Sequence, residues 1–127
     1  MVEESVLPAD DESLPKTHRL RSRAEFQRVF KAKTSAADPT LIVYGLPNNL
    51  GHSRLGLVVS RKVGKAVVRN RWKRLLREAF RRQRAEIPPG IDYVVLPRAG
   101  VKPLWSNVAK SLQQLTRRVA RKTRSPR

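Results

Sequence analysis

The residues from Ser60 to Arg84 are the ones best suited to act on another molecule: eleven are Lys or Arg, and Glu78 is the only acid among them. Cations at this density repel each other, like charges four apart on a helix costing a few tenths of a kcal/mol each. Such a stretch makes physical sense when a polyanion neutralises it, and the anion that recurs along a chain is phosphate. An ordinary solvated helix intersperses Glu with Lys, and this one does not. Hydrolytic chemistry would need other groups, either clustered carboxylates to hold metal ions or paired histidines to move protons. Beyond the N-terminal twelve residues the acids are Glu25, Asp38, Glu78, Glu86 and Asp92, scattered over different segments. His18 and His52 fall in an N-terminal segment and a loop, outside any metal-ligand spacing, and read as surface residues. Ser60 lacks an evident base or nucleophile elbow. The chain therefore carries binding chemistry and shows no self-sufficient active site.

The basic stretch must be positioned by its own apolar residues. From Lys65 onward it has no Pro or Gly, and Val68, Trp72, Leu75, Leu76 and Ala79 recur at three- and four-residue steps. That spacing predicts an amphipathic helix with Asn70, Lys73, Arg74, Arg77, Arg81 and Arg84 on the far side. Gly64 suits a tight strand-to-helix turn, and a helix start flanked by cations can hold a phosphate through its free N–H groups. The Gly-Lys pair is not a nucleotide-binding loop, because the required upstream glycine spacing is absent.

Around this helix the chain reads as α+β. Ser22 with Glu25 forms a capping-box pattern, followed by Phe26, Val29 and Phe30 on one helical face. These rings are either core or the border of a groove where unpaired nucleotides lie. Thr40 to Leu46 and Leu55 to Ser60 have strand character and suggest an antiparallel hairpin, with a weaker strand near Thr34 to Ala37. Ile91 to Leu96 is a further strand after the breakers Pro88-Pro89-Gly90, so the basic helix sits in a strand–helix–strand unit. Pro103 is placed for the first turn of a closing helix with Trp105, Val108, Leu112, Leu115 and Val119 as its core seam, and Arg117 to Arg127 continues as a basic tail. The expected architecture is a small sheet of three or four strands with one face covered by helices.

At 127 residues and a net charge of +18 the chain fits one domain whose partner is nucleic acid. Five of the ten acids, Glu3, Glu4, Asp10, Asp11 and Glu12, lie at the N-terminus, so the body is more basic than the whole. The expected organisation is a disordered acidic tail over 1–13, a single nucleic-acid-binding domain over 14–122, which the resemblance given below makes RNA-binding, and a basic tail over 123–127. No Cys is present, which excludes disulfides and thiolate metal sites. The N-terminus lacks a signal-peptide pattern and no apolar run approaches membrane-spanning length, so a soluble cytoplasmic protein without a membrane partner is expected.

Val59 to Glu78, with Arg69-Asn70-Arg71 at its centre, closely resembles the signature of the bacterial ribonuclease P protein component. Leu14-Pro15-Lys16, Arg19-Leu20-Arg21, Glu25-Phe26 and Val29-Phe30 resemble the family's opening, and Gly90 to Val95 resembles its late strand. The likeness covers about Leu14 to Leu115. It departs in two places: the acidic tail is longer than the family usually carries, and Trp72 stands where an aliphatic residue is commoner.

The resemblance implies a two-layer α/β sandwich with a small mixed sheet, similar to a domain of a ribosomal protein, with a left-handed crossover through the basic helix. It implies an accessory subunit of an endoribonuclease in which a catalytic RNA, using magnesium ions, removes the 5′ leader of precursor tRNA. Carried over by position, Arg69, Asn70, Arg71, Lys73, Arg74 and Arg77 would contact the catalytic RNA. Phe26, Phe30 and Tyr44, with Arg61, Lys62 and Lys65 at the rim, would line the leader cleft. No residue is expected to be catalytic or to bind a metal on the protein itself, and no DNA partner is expected. The alternative is a structural ribosomal-type RNA-binding protein with no role in cleavage, with a double-stranded DNA-binding helix behind it.

Overall fold

The computed structural model describes residues 14–124; the acidic tail expected over 1–13 and the last three residues of the chain lie outside the described residues. Helix α1 (Arg23–Ala32) begins as its sequence requires. The Ser22 hydroxyl accepts from the Glu25 N–H at 3.2 Å, and Glu25 Oε1 accepts from the N–H of Ser22 at 3.0 Å and of Arg21 at 2.8 Å. Strands β1 (Ser35–Ala37) and β2 (Leu41–Pro47) follow as an antiparallel pair. Asp38 shapes the turn between them, its Oδ1 accepting from the N–H of Thr40 and Leu41. Then come β3 (Arg54–Leu57), α2 (Ala66–Arg82), β4 (Ile91–Pro97) and α3 (Trp105–Arg124).

The sheet order is β1-β2-β4-β3, which corrects the expected hairpin. Strand β4 inserts between β2 and β3, antiparallel to the first and parallel to the second. Burial explains the choice: Ile91 to Val95 are all buried, as a central strand covered on both faces should be, and the one charged residue among them, Asp92, is paired. Strand β2 alternates instead, because its two faces meet different surroundings. The strand–helix–strand unit is present as β3–α2–β4, with its strands parallel and adjacent.

Leu41, Val43, Leu55, Tyr93 and Val95 meet α2 and α3 through one buried cluster. From α2 it takes Trp72, Leu75, Leu76 and Ala79, and from α3 Val108, Leu112, Leu115 and Val119. Trp72 is wholly buried, so its position in the stripe is a core position. Val68, expected in that stripe, is instead 37% exposed at the start of α2, where its side chain lies back against Gly64. Helix α3 stays regular to Arg124, so most of the tail expected from Arg117 is helix, anchored by Val119 and Ala120. Pro103 lies two residues before that helix, outside its first turn. Among the described residues the second face of the sheet is covered by α1 and the segment before it, through a separate cluster around Leu20, Val29 and Val94. Helices therefore touch both faces, one fully and one in part.

Candidate nucleic-acid interface

The approach to α2 is built from a short turn, Arg61–Val63, and Gly64. Gly64 has φ 155° and ψ −176°, and a Cβ there would come within 2.9 Å of Val68, so both backbone and space call for glycine. The Lys65 side chain does not cap α2, which leaves the first N–H groups of the helix available to an anion. Arg61, Gly64, Lys65, Ala66 and Arg69 surround an open depression at this end. Arg69 Nε donates to the Gly64 carbonyl at 3.1 Å, which fixes the side chain against the turn.

Along the helix, Asn70, Arg71 and Arg74 are exposed, while Lys73 and Arg77 are half-buried. Burial and the nearby charge of Arg19 lower the pKa of Arg77. Arg81, expected on the same ridge, turns instead to Glu78, which also accepts from Arg82 Nε at 2.6 Å. Burial alone would raise the Glu78 pKa, but the two guanidiniums outweigh it and hold the carboxyl below its usual range. Arg82 in turn lies over the Trp105 ring at 5.2 Å. Of the last part of the expected ridge, Arg81 is thus tied to Glu78 on the same helix, and Arg84 stands beyond the helix end. The exposed cations that remain are concentrated toward its first three turns.

The aromatic residues assemble on the other face of the sheet. Phe26 and Phe30 of α1 and Tyr44 of β2 are half-buried around Val29 and Val94, with Leu46, Val58 and Leu96 beside them. The Phe30 and Tyr44 rings meet edge to face at 4.9 Å. Phe26 lies over Gly56, where a Cβ would fall 2.8 Å from the ring, so the small residue in β3 lets the helix settle on the strand. Phe26, Phe30 and Tyr44 are thus brought together as expected. Arg61 and Lys65 border the same depression as Arg69 at the start of α2, and Lys62 is exposed on the turn between.

The scattered acids have an internal use that spacing did not reveal. Arg54 grips Asp92 with two hydrogen bonds, at 2.8 and 2.7 Å, and reaches Glu25 at 3.1 Å. Asn48 adds a bond to Asp92 at 2.8 Å. This ties α1 to β3 and β4. Asp38 accepts from the Ser111 hydroxyl at 2.7 Å and so ties the β1–β2 turn to α3. Burial raises the Asp38 pKa, yet Ser111 and the Leu41 and Thr40 N–H groups together hold it below the ordinary value. Four of the five acids beyond the tail are engaged within the protein, so among the described residues little negative charge is left to compete for the ridge.

His18 and His52, dismissed by their separation in the chain, have ring centroids 4.3 Å apart. A backbone bridge that pairs Arg19 with Leu55 brings the segment before α1 to the start of β3, which no periodicity in the sequence encodes. Among the described residues no three His, Cys, Asp or Glu side chains come together as metal ligands, and no helix is long and apolar enough to cross a membrane.

A family model, Ribonuclease P, matches residues 14–120. The chain belongs to the ribonuclease P protein family. The ribonuclease P protein component of Methylococcus capsulatus is 47% identical over 96 residues, covering 75% of this chain and 74% of that protein. That of Geobacillus kaustophilus is 41% identical over 107 residues, covering 83% and 88%. A solved ribonuclease P protein from Thermotoga maritima superposes with a TM-score of 0.70 at 40% identity, covering 78% of this chain and 96% of that one. The subunit role in ribonuclease P, and with it tRNA processing and an RNA partner, follows from membership of this family. The α+β architecture, three helices on a four-stranded mixed sheet, is likewise shared with the solved ribonuclease P proteins.

Proposed function

We propose that this chain docks on the catalytic RNA of ribonuclease P through α2 and holds the 5′ leader of precursor tRNA on the open face of its sheet, while the RNA breaks the bond. Arg69, Asn70, Arg71, Lys73, Arg74 and Arg77 are assigned to the RNA subunit, the cations to phosphates and Asn70 to a base or sugar edge. Phe26, Phe30 and Tyr44 are assigned to stacking with leader bases, and Arg61, Lys62 and Lys65 to the phosphates that run between the two surfaces. Magnesium, when bound, would activate water and stabilise the leaving oxygen. Its ligands are assigned to the RNA, because the described carboxylates are spread out and four of the five are already engaged with Arg54, Arg81, Arg82 and Ser111. The cytoplasm, where tRNA precursors are made in bacteria, is the proposed location.

The observation that supports this reading best is the division of labour across the sheet. The cationic helix lies on the face sealed by α2 and α3, and the half-buried rings lie on the other. One small body can then hold two RNA segments at once. The test is reconstitution with a ribonuclease P RNA at low magnesium concentration. Faster leader removal than by the RNA alone is the expected result. RNA binding without any change in cleavage would overturn the leader assignment, and cleavage by the isolated chain would overturn the assignment of catalysis to the RNA.

A further inference from the structure

A second concave site lies away from both surfaces, where the segment before α1 meets the loop into β3 and the chain leaving α2. It is a pocket of about 230 Å³ lined by His18, Gly51, His52, Ser53, Phe80, Arg84, Ile87 and Pro89. We propose that this pocket binds a single nucleotide of an RNA strand, its base against Phe80, Ile87 and the two imidazoles and its phosphate on Arg84.

The chemistry of the wall selects that class of ligand. Phe80 and Ile87 are buried core residues that give the pocket an apolar floor. The two imidazoles, their centroids 4.3 Å apart and their planes tilted by 37°, add flat surfaces of the kind on which bases lie. His52 Nε2 donates to the Thr17 carbonyl at 2.9 Å, which fixes its ring, and His18 Nδ1 lies 3.1 Å from the Thr17 hydroxyl. Arg84 is exposed at the mouth. The cations around His18 are unfavourable to its own proton: burial, His52 and Arg84 together lower its pKa. An anion at the mouth would reverse the last two effects, so phosphate and a proton on His18 should bind together. Volume sets the limit on size, since about 230 Å³ is below the roughly 300 Å³ at which drug-sized pockets begin. One base fits that description and a stacked pair does not.

Continuity with α2 suggests how RNA would reach it. Arg84 follows Arg77 by seven residues at the far end of the cationic helix from Gly64. A strand that tracks the helix could therefore place one extruded nucleotide here. This rests on the reading of α2 as an RNA-docking element, but the pocket can be tested without the RNA subunit.

The experiment follows the His18 and His52 Cε1–H resonances of the full chain during titration with adenosine 5′-monophosphate, adenosine and inorganic phosphate, with His18→Gln and His52→Gln used for assignment. Both resonances should move with the mononucleotide, at several-fold lower concentration than with either fragment, and the His18 pKa should rise when it is bound. Arg84→Gln should weaken the mononucleotide about tenfold, as loss of one charge-assisted hydrogen bond implies, with the helical circular dichroism unchanged. Inorganic phosphate binding as tightly as the mononucleotide would reduce the pocket to an anion site and overturn the proposal. Mononucleotide shifts confined to Phe30 and Tyr44, or an Arg84→Gln protein that binds as well as the parent, would overturn it too. Failure here leaves the docking of α2 untouched, because that is read separately from reconstituted cleavage.

Discussion

The two faces of the sheet are made from alternate residues of the same strands, yet they are finished differently. Under α2 and α3 the two central strands are sealed: Leu41, Val43, Tyr93 and Val95 have no exposed surface. Under α1 the matching residues Ile42, Tyr44, Leu46 and Leu96 remain half-exposed. A ten-residue helix cannot cover what helices of 17 and 20 residues cover. The difference teaches that incomplete burial is where an aromatic residue becomes available for a partner. Phe80 and Tyr93 meet across the sealed side at 6.4 Å as core, while Phe30 and Tyr44 meet across the open side with part of each ring toward solvent.

The contrast can be broken most strongly from the sealed side. Leu75→Ala should destabilise the protein by about 2–5 kcal/mol, the range for a leucine removed from a closed core, measured by urea unfolding. A loss below that range would mean the α2–sheet contact is looser than its burial implies. Next in size, Arg69→Ala combined with Lys73→Ala should weaken binding of ribonuclease P RNA by about 2 kcal/mol while leaving unfolding nearly unchanged. It should also lower the slope of log affinity against log salt by about two. An unchanged slope would remove these residues from the phosphate-binding set.

On the open side, Phe30→Ala should cost about 1–2 kcal/mol in precursor tRNA affinity, as expected for one lost stacking platform, with less effect on mature tRNA and a smaller stability loss than Leu75→Ala. Equal losses for precursor and mature tRNA would make Phe30 another core residue, and the two faces would no longer differ in kind. The smallest effect concerns pH. Glu25, Asp38 and Glu78 are held below their ordinary pKa values in the folded chain. The unfolded chain therefore takes up protons first, and stability should be intact above about pH 5 and decline as pH falls below it. The lowered pKa of His18 has the same sign, so a slight decline should begin nearer its unfolded value of 6.5. His18→Gln should abolish that earlier step and leave the acid one, read from urea midpoints across the pH range.

Much of this was legible in the residues themselves. The capping box at Ser22 and Glu25 formed as written, because it depends only on groups three residues apart. The apolar stripe of α2 from Trp72 onward also formed, since its repeat is local and leaves one side for water. The assembly of Phe26, Phe30 and Tyr44 could be named only through the resemblance, because one face of a strand and one face of a helix do not announce that they meet. Sheet order was misread for a similar reason. Neighbouring strands in sequence favour a hairpin, whereas the doubly apolar β4 gains more by taking the centre.

By itself the sequence determined the charge, the cationic helix with its buried seam and the family to which the chain belongs, because these are properties of composition and of spacings within one element. Only the tertiary structure decided that Arg81 turns to Glu78, that Glu25 and Asp92 share Arg54, and that His18 lies against His52. Each of the last two joins side chains more than twenty-five residues apart, and Glu78 is buried in the folded chain. Contacts of that range are fixed by which surfaces bury together, and no pattern along the chain states them in advance.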